Sequence, residues 1–365
     1  MIRFSSTFFL YISRHYLMSF LALLGIMIGI IFMFDLIELL RRAADKDLAF
    51  GLVLQMALLK IPEVSQRLIS FAILFSAIHT FWHLTKSNEL IVARAAGFSV
   101  WQFLLPILFI AFSIGILKIG VINPVSAIFL SKFEQMENKH LKQHVDLIKY
   151  NETGLWLRQQ SPNTNKQIIL HAEKFHPLTW SLSDVQIFTL IDDLVVKRTD
   201  AYSGFLDKNT WHFEDVTHYN FETAPENSER YLLKTTITPK EIEDSFASPD
   251  TISFWDLSSF IKSIEAIGFP TIKLKIYQQS LLSDPLLFLA MVLIAAAVSL
   301  RPPRKGQIFA IITLGIVIGF LVFILDNFLQ AFGLTEEISP FIAAWSAPLI
   351  TFALSLTTLL YLEES

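Results

Sequence analysis

No cysteine occurs in the 365 residues, which removes disulfide cross-links, thiolate metal sites and a cysteine nucleophile together. Charge is scarce as well: 17% of residues are charged against 53% hydrophobic, a balance outside that of a soluble globular domain. Nor does one sign prevail, because 33 acidic residues face 29 basic ones, so the strong positive balance of a nucleic-acid-binding protein is missing. The chain lacks a Gly-x-x-x-x-Gly-Lys-Ser/Thr phosphate loop and a His-Glu-x-x-His zinc motif. Any energy-requiring work must therefore draw on nucleotide hydrolysis in another subunit.

What is present is unevenly distributed. Residues 131–275 hold 37 of the 62 charged residues, leaving 25 for the other 220 positions. That is a membrane, polar, membrane layout. A helix crossing the hydrocarbon core needs about 20 apolar residues, because every backbone group must be bonded within the chain where water is absent. The stretches 17–34, 100–117, 308–325 and 338–362 carry no charge. Two more, 68–84 with His79 and His83, and 285–300, complete a prediction of six transmembrane helices. The first apolar run is too long for a removable signal and continues into Asp35 and Glu38 without a small-residue cleavage site.

Orientation follows from basic residues in short flanks. Arg3, Arg14, Lys86, Arg94, Arg301, Arg304 and Lys305 fall on one side, which predicts both termini in the cytoplasm. Arg41, Arg42 and Lys46 oppose this, diluted by Asp45 and Asp47. The polar middle then faces outward. Its runs Gly154-Leu-Trp-Leu-Arg158, Gln167-Ile-Ile-Leu-His171, Val185-Gln-Ile-Phe-Thr-Leu-Ile191, Thr210-Trp-His-Phe-Glu214 and Tyr231-Leu-Leu-Lys-Thr-Thr-Ile237 are rich in β-branched and aromatic residues, with turn residues between them. The predicted fold is an α-helical membrane protein of six transmembrane helices with an all-β, jellyroll-like domain inserted between helices 3 and 4. Its divisions are 1–125 for helices 1–3, 126–270 for the outer region with a β core at about 145–250, and 271–365 for helices 4–6.

Charges at the outer helix ends are the first functional candidates, because a charge near hydrocarbon is costly to keep. Asp35, Glu38, Arg41, Arg42, Lys60, Glu63, Arg67, Lys118, Asp284 and Asp326 gather there. One reading is a lining for an amphipathic substrate whose phosphates meet basic side chains; the other is snorkelling, with nothing bound. The histidine pairs His79/His83 and His140/His144 each share a helical face but have no third ligand, so packing is preferred to a metal. The segment Lys86-Ser-Asn-Glu-Leu-Ile-Val-Ala-Arg-Ala-Ala-Gly97, at about 86–98, predicts a short cytoplasmic helix capped by Ser87 or Asn88 and stopped by Gly97. It either lies flat on lipid or passes motion from a cytoplasmic partner into the membrane helices.

With these pieces placed, the chain resembles the LptF/LptG permease family of the lipopolysaccharide export system, and its LptG-type branch more than its LptF-type. Three motifs carry the likeness: Glu38-Leu-Leu-Arg-Arg-Ala43, Asn88-Glu-Leu-Ile-Val-Ala-Arg-Ala-Ala-Gly-Phe-Ser99 and Phe254-Trp-Asp-Leu257. The resemblance implies a half-transporter in the bacterial inner membrane that pairs with an LptF-type permease and is driven by an LptB-type ATPase dimer. ATP would be bound and hydrolysed there, with no cofactor, metal or catalytic residue in this chain. Glu89, Leu90 and Arg94 would couple to the ATPase. Arg41 and Arg42 would match the family's phosphate contacts; Lys60, Arg67 and Lys118 extend the substrate-binding set on the residue reading. The lysine that some relatives carry within span one is absent, since the matching stretch reads Phe-Met-Phe-Asp35. The outer domain would pass lipopolysaccharide to an LptC-type bridge. The rivals are the LptF-type subunit, a membrane enzyme using Asp35 and Glu38 on a lipid headgroup, and a scaffold that transports nothing.

Overall fold

The computed structural model describes residues 6–364 apart from 45, 47, 96–98, 142–147, 152–153, 161–165, 177–179, 192–193, 208–209, 221–223, 236–247, 267–270 and 300–307. Arg3, Asp45, Asp47, Gly97, His144, Arg301, Arg304, Lys305, the 161–165 turn and the side chain of Arg94 lie outside the described residues. The helices are α1 (Ser6–Ala44), α2 (Phe50–Lys86), α3 (Glu89–Ala95), α4 (Val100–Leu117), α5 (Asn123–His140), α6 (Phe254–Ala266), α7 (Ile272–Ser299), α8 (Ile308–Leu334) and α9 (Pro340–Glu364). Strands β1 (Ile148–Asn151), β2 (Gly154–Gln160), β3 (Lys166–His176), β4 (Ser181–Ile191), β5 (Leu194–Asp207), β6 (Thr210–Asn220) and β7 (Glu226–Lys234) separate α5 from α6. Contacts divide the chain into two compact units, one of 1–133, 249–258 and 272–365, the other of 134–248 and 259–271.

Among the described residues, six helical stretches are long and apolar enough to cross a membrane. They are unequal in burial. About two thirds of the most apolar stretch of α2 and of α7 is buried, against 6% for α1 and 17% for the span within α8. A core of Ile69, Ile73, Phe81, Phe103, Phe288 and Met291 therefore fills the space among α2, α4 and α7. Gly115 makes the α4–α7 contact close: a Cβ there would sit 2.8 Å from the Cα of Pro285.

Between α4 and α5 the chain makes a π-helical turn, Lys118–Ile122, a wide turn that recurs at functional sites. Pro124 explains part of it. A proline has no N–H to offer the carbonyl four residues back, here that of Gly120, and the indole Nε1–H of Trp255 donates to that oxygen instead at 3.3 Å. Asn123, fully buried, fixes the same corner. Its amide donates to Tyr277 Oη at 2.8 Å and to Gln66 Oε1 at 3.4 Å, and its Oδ1 accepts the N–H of Phe254 at 2.8 Å.

The second unit carries the seven-stranded antiparallel sheet, ordered β1 to β7 as a meander. Alternating side chains meet one face, because successive residues of a strand point opposite ways. Leu155, Leu157, Leu170, Ala172, Val185, Ile187, Trp211, Phe213 and Leu233 form its core, joined by Ile264 of α6. The sheet is curled on itself. Strands β2 and β7 lie far apart in the ladder, yet Gln159 Nε2 donates to the carbonyl of Lys234 at 3.0 Å, and Leu157, Leu170, Trp211 and Leu233 surround one small internal cavity. Gly204 faces Phe213 across β5 and β6, and a Cβ at Gly204 would collide with that ring. The predicted jellyroll-like β domain is thus a single curled meander.

Candidate functional site

Two groups of residues stand out, at opposite ends of the helical unit. The first begins where α1 ends and α2 starts. Arg41 makes a two-pronged bond to Glu38, Nη2 to Oε1 at 2.8 Å and Nε to Oε2 at 3.0 Å, and remains largely exposed; Arg42 follows, half-buried. Lys60 of α2 reaches Asp35 of α1 at 3.0 Å. Arg67 pairs with Glu63 one turn away and has Asp250 at 3.8 Å, with 72% of its side chain accessible. Lys118 donates to Asp284 Oδ2 at 2.6 Å, and these two side chains are only 10% and 14% exposed. The Lys118 ammonium also lies 5.6 Å from the ring centre of Phe288.

Arg67 and Lys118 line a polar cavity of about 410 Å³ among α2, the π-helical turn, α7 and α8. Four carboxylates, Glu63, Asp250, Asp284 and Asp326, share it with those two cations. Asp326 accepts a bond from the neutral amide of Gln330 at 2.9 Å. The excess of acid means that an anion entering this cavity must displace a carboxylate from Arg67 or Lys118. A second cavity, of about 500 Å³, is apolar and lies among α7, α8 and α9, lined by Ile294, Val298, Ile318, Ile350 and Leu354.

The other end carries α3. Its placement follows from Asn88, which takes a left-handed conformation (φ 60°) that asparagine tolerates better than most residues. The Ser87 N–H bonds the His83 carbonyl at 2.9 Å, and the Val92 N–H bonds the Asn88 carbonyl at 3.0 Å, so only Ser87 and Asn88 lie between the end of α2 and the start of α3. Glu89 occupies the first turn of α3, where the helix dipole favours an acid. Leu90 is 4% exposed and belongs to the helical core, whereas Val92 is 68% exposed. Leu90 therefore seats α3 on the bundle, and Val92 offers the apolar surface.

Three histidines lie beside it. His15 of α1 is 4.5 Å from His83 and 6.2 Å from His79, ring centre to ring centre, and Ser19 Oγ is 3.1 Å from His79 Nδ1. Among the described residues, no group of three or more His, Asp or Glu side chains is arranged to hold a metal ion. Tyr11, one turn before His15, donates its hydroxyl to Glu89 Oε1 at 3.4 Å.

Against known proteins, a sequence profile of the lipopolysaccharide export system permeases LptF/LptG matches residues 10–361. The chain belongs to the LptF/LptG family. It is 22% identical over 312 residues to the lipopolysaccharide export system permease protein LptG of Escherichia coli K12, covering 83% of this chain and 84% of that relative. The LptG of E. coli O6:H1 matches to the same extent. As a multi-pass member of a transport family, the protein has a permease's role, and its sites are to be judged as substrate-facing and partner-facing surfaces.

Sequence reasoning reached Glu89 and the five basic residues through a motif or an interfacial position. It passed over Tyr11, Val92 and the pairing of Lys118 with Asp284. The periodicity of α1 gave no sign of which of its polar residues would meet α3.

Proposed function

We propose that this chain is the LptG-type permease of a lipopolysaccharide exporter in the bacterial inner membrane. It pairs with an LptF-type permease, and an LptB-type ATPase dimer binds and hydrolyses ATP on its behalf. Both termini face the cytoplasm and the β domain faces the periplasm, where it hands substrate to an LptC-type bridge. The observation that carries this reading is the disposition of α1 to α3: Glu89 at one end of the helical unit, Arg41 and Arg42 at the other. The LptG relatives support it over 83% of the chain.

Lipopolysaccharide enters sideways from the outer leaflet, with acyl chains among the helices and phosphates at the charged end. Arg41 and Arg67 keep exposed side chains whose guanidinium groups take a phosphate as it displaces their carboxylates, with the half-buried Arg42 next to Arg41. Lys60 and Lys118 take part once substrate draws them from Asp35 and Asp284. Glu89 and Arg94 couple α3 to the ATPase while Leu90 keeps α3 on the core. ATP shifts the pocket only if its two states differ in affinity for substrate, and coupling through Glu89 is the proposed lever between them.

The test is affinity purification from gently solubilised membranes, identifying bound proteins and lipid. Recovery of an ATPase, a distinct six-span partner and lipopolysaccharide is the expected result. Recovery of the chain alone, or lipid-headgroup turnover by the chain alone, overturns the proposal.

A further inference from the structure

The coupling element α3 is flanked in sequence by α2 and α4, which makes those two helices the obvious recipients of its motion. The packing gives the inner end of α1 an equal claim. Within three turns of helix, α1 touches all three elements. Phe8 meets Phe103 of α4 edge-on, with ring centres 5.2 Å apart. Tyr11 donates to Glu89 of α3 at 3.4 Å, and His15 lies against His83 of α2 at 4.5 Å. The Glu89 contact is the one a displaced α3 would alter first, because it joins two side chains at a helix start instead of two faces of a packed core.

The rest of α1 suits transmission. It is one unbroken helix of 39 residues without an internal proline, so a shift at Tyr11 reaches Arg41 about 45 Å away at 1.5 Å per residue. Only 6% of its most apolar stretch is buried, whereas α2 is two-thirds buried and held by the core. A long helix packed along one side, as α1 is through Ile12, Tyr16 and Phe20, moves as a rod at lower cost than one locked on several sides. It also carries Glu38, Arg41 and Arg42 on its far end and is tied to α2 there through Asp35 and Lys60.

We infer that Tyr11 is a positioning residue for transport: its hydroxyl holds Glu89 of α3, and α1 carries the movement of α3 to the basic residues at its other end. The inference rests on the proposed coupling role of Glu89. It assigns α1, through Tyr11, a function that the α3 motif does not contain.

The experiment uses the assembled complex of permeases and ATPase in proteoliposomes, with purified lipopolysaccharide as substrate. It measures ATPase retention, ATP turnover and lipid moved per ATP for Tyr11→Phe, Glu89→Ala, the double variant and Glu89→Lys. Tyr11→Phe removes one oxygen and keeps the ring, so the expected result is full ATPase retention with lipid moved per ATP reduced about fivefold or more. The double variant should be no worse than the poorer single one, since both remove the same contact. Unchanged lipid per ATP in Tyr11→Phe, or losses that multiply in the double variant, overturns the inference. Glu89→Lys separates the two levels. If it uncouples transport while Tyr11→Phe does not, only the role of Tyr11 falls; if it leaves transport intact, the coupling role of Glu89 falls and that of Tyr11 with it.

Discussion

Lys118 and Asp284 are 166 positions apart in sequence, yet their charged groups meet at 2.6 Å inside the helical unit, joining the π-helical turn to α7. A buried pair of this kind is dearer to break than to omit. Removing one partner strands the other charge away from water, whereas removing both leaves an apolar contact.

Lys118→Met alone, or Asp284→Leu alone, should therefore cost about 3–5 kcal/mol of stability, while the double replacement recovers most of it. Thermal midpoints in one detergent at one scan rate would show this as two low values and one near the parent. A double variant as unstable as the singles would mean that the pair is not what holds the π-helical turn to α7.

The exchange of partners at Gly120 gives a second test. Trp255 bonds the carbonyl that Pro124 cannot serve, so Trp255→Phe should lose about 1 kcal/mol, the net worth of one such hydrogen bond. Restoring the missing N–H with Pro124→Ala should make the Trp255→Phe change nearly silent, measured as the difference in thermal midpoint between the two backgrounds. Equal losses in both backgrounds would dissociate the indole from the proline.

These two relationships mark the boundary of what the chain discloses in one dimension. The six spans and the β domain were legible because each rests on a local pattern, an uncharged run of helical length or alternating β-branched residues between turns. The Phe254-Trp-Asp-Leu257 motif was visible as a motif, but its work on Gly120 is set by the path of the chain. The same holds for His79 and His83: their spacing put them on one face of α2, and nothing in it indicated that His15 of α1 would complete the cluster. Basic residues at helix ends were easily found. That Lys118 is spoken for by Asp284 and Lys60 by Asp35 is a matter of helix-to-helix register, which has no signal in local composition.

Gly115 tests that register directly. A methyl group there would press on the backbone of Pro285, and α4 cannot retreat without disturbing the Lys118–Asp284 pair next to it. Gly115→Ala should cost about 1–3 kcal/mol by overpacking, despite alanine's better helix propensity. In Gly120, where nothing lies within 4 Å of the added carbon, the same substitution serves as the control and should be mild. A lower thermal midpoint for the first and not the second is the expected outcome.

In the β domain, His218 predicts how stability depends on pH. Burial, and then the charge of Lys197, hold its pKa below the ordinary 6.5, with Glu226 opposing; its Nδ1 lies 3.0 Å from Thr199 Oγ1. The folded domain therefore binds fewer protons than the unfolded chain once the pH drops under about 6.5, so stability contributed by this group is present above that value. It is lost as the pH falls from there toward the lowered folded-state pKa, and no further below it. Thermal unfolding of the full chain followed by the fluorescence of its tryptophans, of which Trp211 is buried in this core, should show the midpoint falling between pH 7.5 and 5.5. His218→Gln removes the titrating group and keeps a polar side chain, and should flatten that part of the profile. An unchanged slope in this variant would assign the acid sensitivity to other groups.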